Sequence, residues 1–323
     1  MSNFIFALNA TIPIFLIIVL GYFLNRIKMV NANFIEILNK YVFKIALPVM
    51  LFKDIATTPI DKVYDPRFIA FCMIGTSIMF LAVLLFAEKF IKDKREIGAF
   101  TQAAARGSAA IFGIAFVQNI YGESGMTPMM IIAAVPLYNI YSVIILSIFG
   151  EKYPQDGSAP EHNGGKELAL HTLKGIVTNP IILGIAAGFP FSLAGVSLPP
   201  IVLKTITSIG ATATPMGLIA VGAAFEGRKA VKKLKQTLAA SLIKLMVLPA
   251  LFFPFAIMLG FRQSALVAIL IMVGAPTTVS CYIMAKNMGN DDVLTSSIVV
   301  TTTLLSSVTL TFWLFILRTM GLI

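Results

Sequence analysis

Long apolar runs alternate with short polar ones from one end of this chain to the other. A run of about 20 apolar residues can cross the hydrocarbon core of a bilayer as a helix. Ten such segments are predicted, at 4–25, 34–52, 68–88, 97–120, 126–149, 172–191, 199–225, 236–260, 263–286 and 293–317. The polar stretch EKYPQDGSAPEHNGGKE, 151–167, is the one substantial linker, and it separates two halves of five spans, 1–150 and 168–323. The pattern predicts an all-α membrane protein. The opening residues MSNFIFALNA carry no Lys or Arg, so the basic region of a cleavable signal is missing and the first apolar segment is expected to be a permanent span.

The two halves repeat one another at an offset of 167 residues. TIPIFLIIVLGY (11–22) lies over TNPIILGIAAGF (178–189), matching Thr11, Pro13, Ile14, Leu16, Ile18 and Gly21 with Thr178, Pro180, Ile181, Leu183, Ile185 and Gly188. The same offset pairs Ala46, Pro48 and Leu51 with Ala213, Pro215 and Leu218, Gly107 with Gly274, and Gly122 with Gly289. Apolar segments resemble one another by chance, but four blocks at one offset are hard to obtain that way. Five spans are an odd number, so the halves enter the membrane in opposite senses. The expectation is an inverted repeat of the kind many secondary transporters use.

The fourth and ninth spans carry helix-breaking residues at equivalent places. The ninth reads LIMVGAPTTVSCYIMAKN, with Gly274 and Pro276 at its centre. Proline lacks the backbone donor and crowds the preceding turn, so unwinding is expected near Pro276, beside Thr277, Thr278 and Ser280. The fourth span has Gly107 and Ser108 at the matching position. Backbone freed at membrane depth is tolerated only when it is buried in protein or lines a wet cavity. Two such breaks therefore point to a shared central site. Pro48 and Pro215 are expected to kink their helices and shape the cavity.

Composition strengthens the membrane assignment: 58% of residues are hydrophobic and 12% charged, about half the charged share of a soluble domain. The net charge of +10 does not imply nucleic acid, because the basic residues sit in short loops, where they act as topology signals. Placing the N-terminus outside puts 15 Lys and Arg in inner loops and 5 in outer ones, with five more inside spans. That bias predicts both termini outside. Of the basic residues within spans, Lys40, Lys204 and Lys244 read as snorkelling side chains, and Lys44 lies deeper.

Arg106 is the exception. It lies about ten residues into its span, or about 15 Å at helical rise, close to half depth. An arginine there costs on the order of 3 kcal/mol or more and faces a polar interior with a partner. No Asp or Glu lies well inside any span: Glu36, Asp54, Glu88 and Glu226 are all near ends. A carboxylate substrate would supply the partner, helped by half-helix N-termini. Carbonyls exposed at the breaks would serve as well. Asn139 in the fifth span either lines the same site or bonds a neighbouring helix. No metal or cofactor spacing is present, and the features of an intramembrane enzyme are missing. Cys72 and Cys281 are isolated in apolar runs, His162 and His171 lie in or beside the linker, and no buried acidic pair occurs.

NKYVFKIALPVMLF in the second span, FGIAFVQNIYG closing the fourth, and GAPTTVSCYIMAKNMGNDDVLTSSIVVTTTLLSS across the ninth and tenth resemble the auxin efflux carrier family. That family includes the plant PIN proteins and bacterial permeases for malate and malonate. The resemblance implies ten spans in two inverted five-helix repeats with crossing, broken helices four and nine, similar to sodium/proton antiporters and bile-acid transporters. It implies carriage of an organic anion across the plasma membrane, and a homodimer. Two departures bear on substrate. Ser108 stands where the family commonly has Asn, and Ala115, in Gly113-Ile114-Ala115, stands where it commonly has Pro. A hydroxyl beside Arg106 in place of an amide tilts the expectation from an auxin-like aromatic carboxylate toward a small mono- or dicarboxylate. A channel or sensor on the same fold is the remaining alternative.

Overall fold

In lipid a backbone must satisfy its own hydrogen bonds, and among the described residues every regular element is helical. The computed structural model describes residues 2–57, 65–155, 157, 170 and 173–323. Most of the predicted linker 151–167, with His162, and His171 beside it, together with the first residue of the sixth predicted span, lie outside them.

The first half runs through α1 (Ser2–Arg26), α2 (Ala32–Tyr41), a π-turn (Val42–Ala46) leading directly into α3 (Leu47–Ala56), α4 (Pro66–Phe90), α5 (Ile97–Ala105), α6 (Ala109–Tyr121) and α7 (Thr127–Lys152). The second half runs through α8 (Pro180–Ala194), α9 (Pro200–Ala211), α10 (Ala213–Ala224), α11 (Gly227–Lys232), α12 (Leu234–Leu242), a π-turn (Ile243–Val247) and α13 (Leu248–Met258). It ends with α14 (Ser264–Gly274), α15 (Val279–Asn287) and α16 (Asp292–Thr319). Among the described residues, six stretches are long and apolar enough to cross a membrane: Ala7–Arg26, Pro66–Phe90, Thr127–Lys152, Pro200–Ala224, Leu234–Met258 and Asp292–Thr319. The other four predicted spans differ. The second runs on through its π-turn to Ala56 but carries Glu36, Lys40, Lys44, Lys53 and Asp54, the fourth and ninth are each split in two, and the sixth is punctuated at Asn179, whose side chain caps α8 at Ile181 N.

Local chemistry explains the boundaries. Asp65 caps α4 by accepting from the N–H groups of Arg67 and Phe68, with Pro66 pre-set for the first turn. Asp291 caps α16 through Leu294 N at 2.8 Å. Gly122 ends α6 and Gly289 follows α15, at φ of 78° and 65°, the left-handed conformation that glycine adopts without penalty. These two are repeat-equivalent. Both π-turns precede a Leu-Pro pair, Leu47-Pro48 and Leu248-Pro249, where the missing proline donor frees a carbonyl one turn back. At Pro249 that carbonyl belongs to Leu245, and the indole N–H of Trp313 donates to it at 2.9 Å.

Buried apolar residues form two clusters. One holds α4, α5, α6, α7, α13, α14 and α16, with Phe80, Phe100, Phe112, Leu270 and Leu314 among its members. The other joins α1, α2, α3, α8, α10 and α15 through Ile18, Leu47, Ile185, Leu218 and Ile283. Leu16, Leu20 and Phe23 on α1 and Ile74, Ile78, Leu81 and Leu85 on α4 stay exposed, as apolar side chains facing lipid do.

Within the second cluster the helix backbones touch where side chains are absent. A Cβ on Gly21 would collide with the carbonyl of Ile219, and one on Gly188 would lie 2.9 Å from the carbonyl oxygen of Phe52. Gly21 and Gly188 are equivalent at the offset of 167, and so are Phe52 and Ile219. The α1–α10 contact and the α8–α3 contact are therefore built on matching positions. Small residues that let helices approach closely are the usual means of association where lipid removes the hydrophobic drive.

Candidate functional site

The two split spans meet at their breaks. Between α5 and α6 the chain is extended at Arg106, and between α14 and α15 it is extended at Ala275 and Thr278. The segments pair antiparallel, with a bridge between Gly107 and Thr277 and Ser108 N donating to Pro276 O at 2.8 Å. Thr277 Oγ1 donates to Ala103 O at 2.7 Å, and Thr302 Oγ1 accepts from Thr277 N at 3.1 Å. Gln102 Nε2 donates across the crossing to Cys281 O at 2.8 Å. Backbone groups released from the helices are thus repaired, Ser108 N and Ala103 O by the opposite half and Thr277 N by α16 of its own half. Proline is not the general cause, because the first break has none.

Each break puts one helix C-terminus and one helix N-terminus at the crossing. α5 and α14 end there, and α6 and α15 begin there. Ser108 and Thr278 stand at the two N-cap positions, and neither hydroxyl caps its helix; Thr278 Oγ1 lies 3.2 Å from Ser280 Oγ. The first N–H groups of a helix have no partner within it, and here they open on a cavity of about 50 Å³ lined by Arg106, Gly107, Ser108, Ala109, Ala110, Thr214, Thr278 and Ser280. A neighbouring recess of about 20 Å³ is lined by Ser108, Pro276, Thr277 and Thr278.

Arg106 is 5% exposed. Its Nη2 donates to Asn139 Oδ1 at 2.8 Å and its Nη1 to Met284 Sδ at 2.9 Å. Asn139 is fully buried, and its amide donates to Val135 O at 2.9 Å. Both partners of the guanidinium are neutral, and no ion pair to Arg106 occurs among the described residues. A guanidinium offers five N–H donors, so it has capacity left for an anion.

A second buried cation lies at the same crossing. Lys244 does not snorkel: it is fully buried, and its Nζ donates to Ala105 O at 2.9 Å and Met272 O at 3.4 Å. Lys244 lies eight residues into the predicted span 236–260 and Lys204, which is exposed, five into 199–225, so position along the span does not by itself say which of the two turns inward. The inward aim of Lys244 depends on helix phase and on the π-turn it occupies. Lys44, in the other π-turn, is exposed.

The remaining predicted residues take supporting places. Gly274 packs against the Pro249 ring, which a Cβ would approach to 2.9 Å. Pro48 stands over the α8 backbone and Pro215 is exposed in the first turn of α10, while Leu47, Met50 and Thr214 beside them face the central cavity.

Larger cavities lie toward the two ends of the α2–α3 helix. One of about 510 Å³, lined by Met50, Lys53, Asp54, Thr57, Ala110 and Thr214 among others, shares Met50, Asp54, Ala110 and Thr214 with the central cavity. The other, about 730 Å³, is lined by Asn25, Glu36, Asn39, Lys40, Lys229 and Lys286 among others and shares no lining residue with the centre. Glu36 and Asp54 are separated by about 27 Å of helix. Asn39 Nδ2 donates to Tyr282 Oη at 3.4 Å on the closed side.

Two buried cations, two helix N-termini and cavities reaching toward opposite ends define a helical membrane protein built around a central anion-compatible site. The family model for "Membrane transport protein" matches residues 6–314, and the chain belongs to that family, the auxin efflux carriers. It is 24% identical over 315 residues to a protein of Rhizobium meliloti (strain 1021) named "Putative malonate transporter", covering 95% of this chain and 94% of that one. An "Uncharacterized transporter" of Methanothermobacter thermautotrophicus is 21% identical over 307 residues, covering 94% of this chain and 96% of the relative.

Proposed function

We propose that the chain is a secondary transporter that moves a small organic anion, a mono- or dicarboxylate such as malonate or malate, across the plasma membrane by alternating access. The observation that carries this reading is Arg106: a buried guanidinium at the crossing with only neutral partners, opening on a cavity that two helix N-termini also face. A carboxylate there would gain charge-assisted bonds to the guanidinium and favourable interaction with both helix ends. The name of the Rhizobium meliloti relative agrees with a dicarboxylate. Alternating access is supported by cavities on both sides of the crossing, one joined to it and one closed off near Asn39 and Tyr282.

The architecture in this reading is ten spans in two inverted repeats, 1–150 and 168–323, with both termini outside. The matched Gly21–Ile219 and Gly188–Phe52 contacts support the repeat. Substrate binding falls to Arg106, Gly107, Ser108, Asn139, Gly274, Pro276, Thr277, Thr278 and Ser280, and the carrier works as a homodimer.

Counterflow uptake in proteoliposomes against a panel of mono- and dicarboxylates tests the proposal. Wild type is expected to exchange malonate or malate saturably. Arg106→Gln, removing a charge-assisted bond worth about 1.5–3 kcal/mol, is expected to lose roughly tenfold to a hundredfold in affinity. Carboxylate exchange at wild-type affinity in a folded Arg106→Gln protein would reject the site.

A further inference from the structure

We propose that the Lys244 ammonium is a tethered cation in a site that otherwise suits a free monovalent metal ion, so that this carrier needs no sodium. The ammonium is held where the C-terminal ends of two half-helices converge. Ala105 is the last residue of α5, and Met272 lies in the last turn of α14. Each helix C-terminus carries roughly half a negative charge, so two together offer about one, matched by one ammonium. The opposite ends, at α6 and α15, remain free for an anion.

Three observations argue against an incidental lysine. A buried ammonium costs several kcal/mol unless it is compensated, and among the described residues no carboxylate pairs with it. Its acceptors are carbonyls, the hard oxygen ligands that also suit small cations. The backbone makes room for it as well: a Cβ on Gly107 would lie 3.0 Å from Lys244 Nζ and 3.1 Å from Cε. Glycine at the break therefore serves the cation as well as the turn. The repeat-equivalent of Lys244 is Ser77, whose hydroxyl donates to Met73 O, so only the second half supplies this charge.

Removing the lysine side chain would leave carbonyl oxygens around a vacated space at the negative helix ends, a site for sodium. The test uses full-length protein in sodium chloride against choline chloride at constant ionic strength, read by melting temperature and by malonate counterflow. The flux reading rests on the anion-carrier proposal; the melting reading does not. Wild type is expected to be indifferent to the exchange. Lys244→Ala is expected to be at least about tenfold slower in choline and to recover in sodium. Saturating sodium should also raise its melting temperature by roughly 5 °C, as a ligand of the folded state does. Lys244→Ser, whose hydroxyl can donate to a freed carbonyl, serves if Lys244→Ala does not fold. A sodium requirement in wild type overturns the inference. So does a folded Lys244 variant that gains nothing from sodium in melting temperature. If no carboxylate is exchanged while the melting responses hold, the anion reading fails and the cation site stands.

Discussion

Arg106 Nη2 and Asn139 Oδ1 are 2.8 Å apart, a buried cation bonded to a neutral amide in a neighbouring helix. Asn139 also anchors itself to Val135 O one turn back, so the amide is fixed in place and the guanidinium is oriented by it. An amide holds the arginine without neutralising it, which preserves its charge for a substrate.

That relationship predicts the outcome of Asn139→Asp. The new carboxylate would give Arg106 a permanent partner of nearly the same shape. An internal anion competes with an external one, so malonate affinity should fall at least about tenfold while the melting temperature is kept or raised. Binding by isothermal calorimetry and a melting curve check both halves. Unchanged affinity would mean that Arg106 does not meet the substrate.

The breaks themselves should be more robust than their proline suggests. Thr277 Oγ1 holds Ala103 O at 2.7 Å, and Pro276 O holds Ser108 N; neither bond needs the proline ring. Pro276→Ala is therefore expected to keep the crossing, and what flux it loses reports the ring's own contact with substrate. Thr277→Val, nearly isosteric, orphans a buried carbonyl and should cost about 1–3 kcal/mol, a melting shift of several degrees. Thermal unfolding of the two variants side by side distinguishes them, and a larger loss for Pro276→Ala would return the break to proline chemistry.

Much of this could be read from residues. Gly107, Gly274 and Pro276 mark the breaks because helix-breaking residues stand out in apolar runs, and Arg106 is conspicuous by its depth. Lys244 was not legible: a lysine in a span predicts snorkelling unless the phase of its helix is known, and a π-turn resets that phase. Gln102, Thr302 and Met284 were hidden for a different reason. Their roles consist of bonds to residues 25 to 179 positions away, and nothing in their own neighbourhood announces them. The matching of Phe52 with Ile219 was equally silent, because what repeats there is a carbonyl and not a side chain.

At one end of the bundle Lys233 bridges Glu96 at 2.6 Å and Asp291 at 2.8 Å, tying the starts of α5, α12 and α16 together. Burial works against the ammonium, but its bonds to Asp291 and Glu96 outweigh burial and hold its pKa above the ordinary lysine value. The carboxylates are 4% and 8% exposed, so Lys233→Ala strands two of them. A loss of about 2–4 kcal/mol is expected, and Lys233→Arg should restore most of it. Denaturation in detergent measures both variants; stability equal to wild type in Lys233→Ala would make the triad a surface ornament.

The orientation of the chain can be settled with single cysteines. Cys72 and Cys281 are both buried, so a membrane-impermeant maleimide has little native background to report. Gly157 and Ser197 are exposed and fall in loops that an odd number of spans separates in the ten-span reading. The basic residues weigh 15 to 5 toward the side that holds Gly157, and positive loops stay inside. A cysteine at Ser197 should be labelled in intact cells, while one at Gly157 should be labelled only after the membrane is opened. Labelling of both from outside would break the count of spans between them. The reverse pattern would invert the molecule, exchanging which of the two large cavities meets the cell exterior, and would place the open path to Arg106 on the cytoplasmic side.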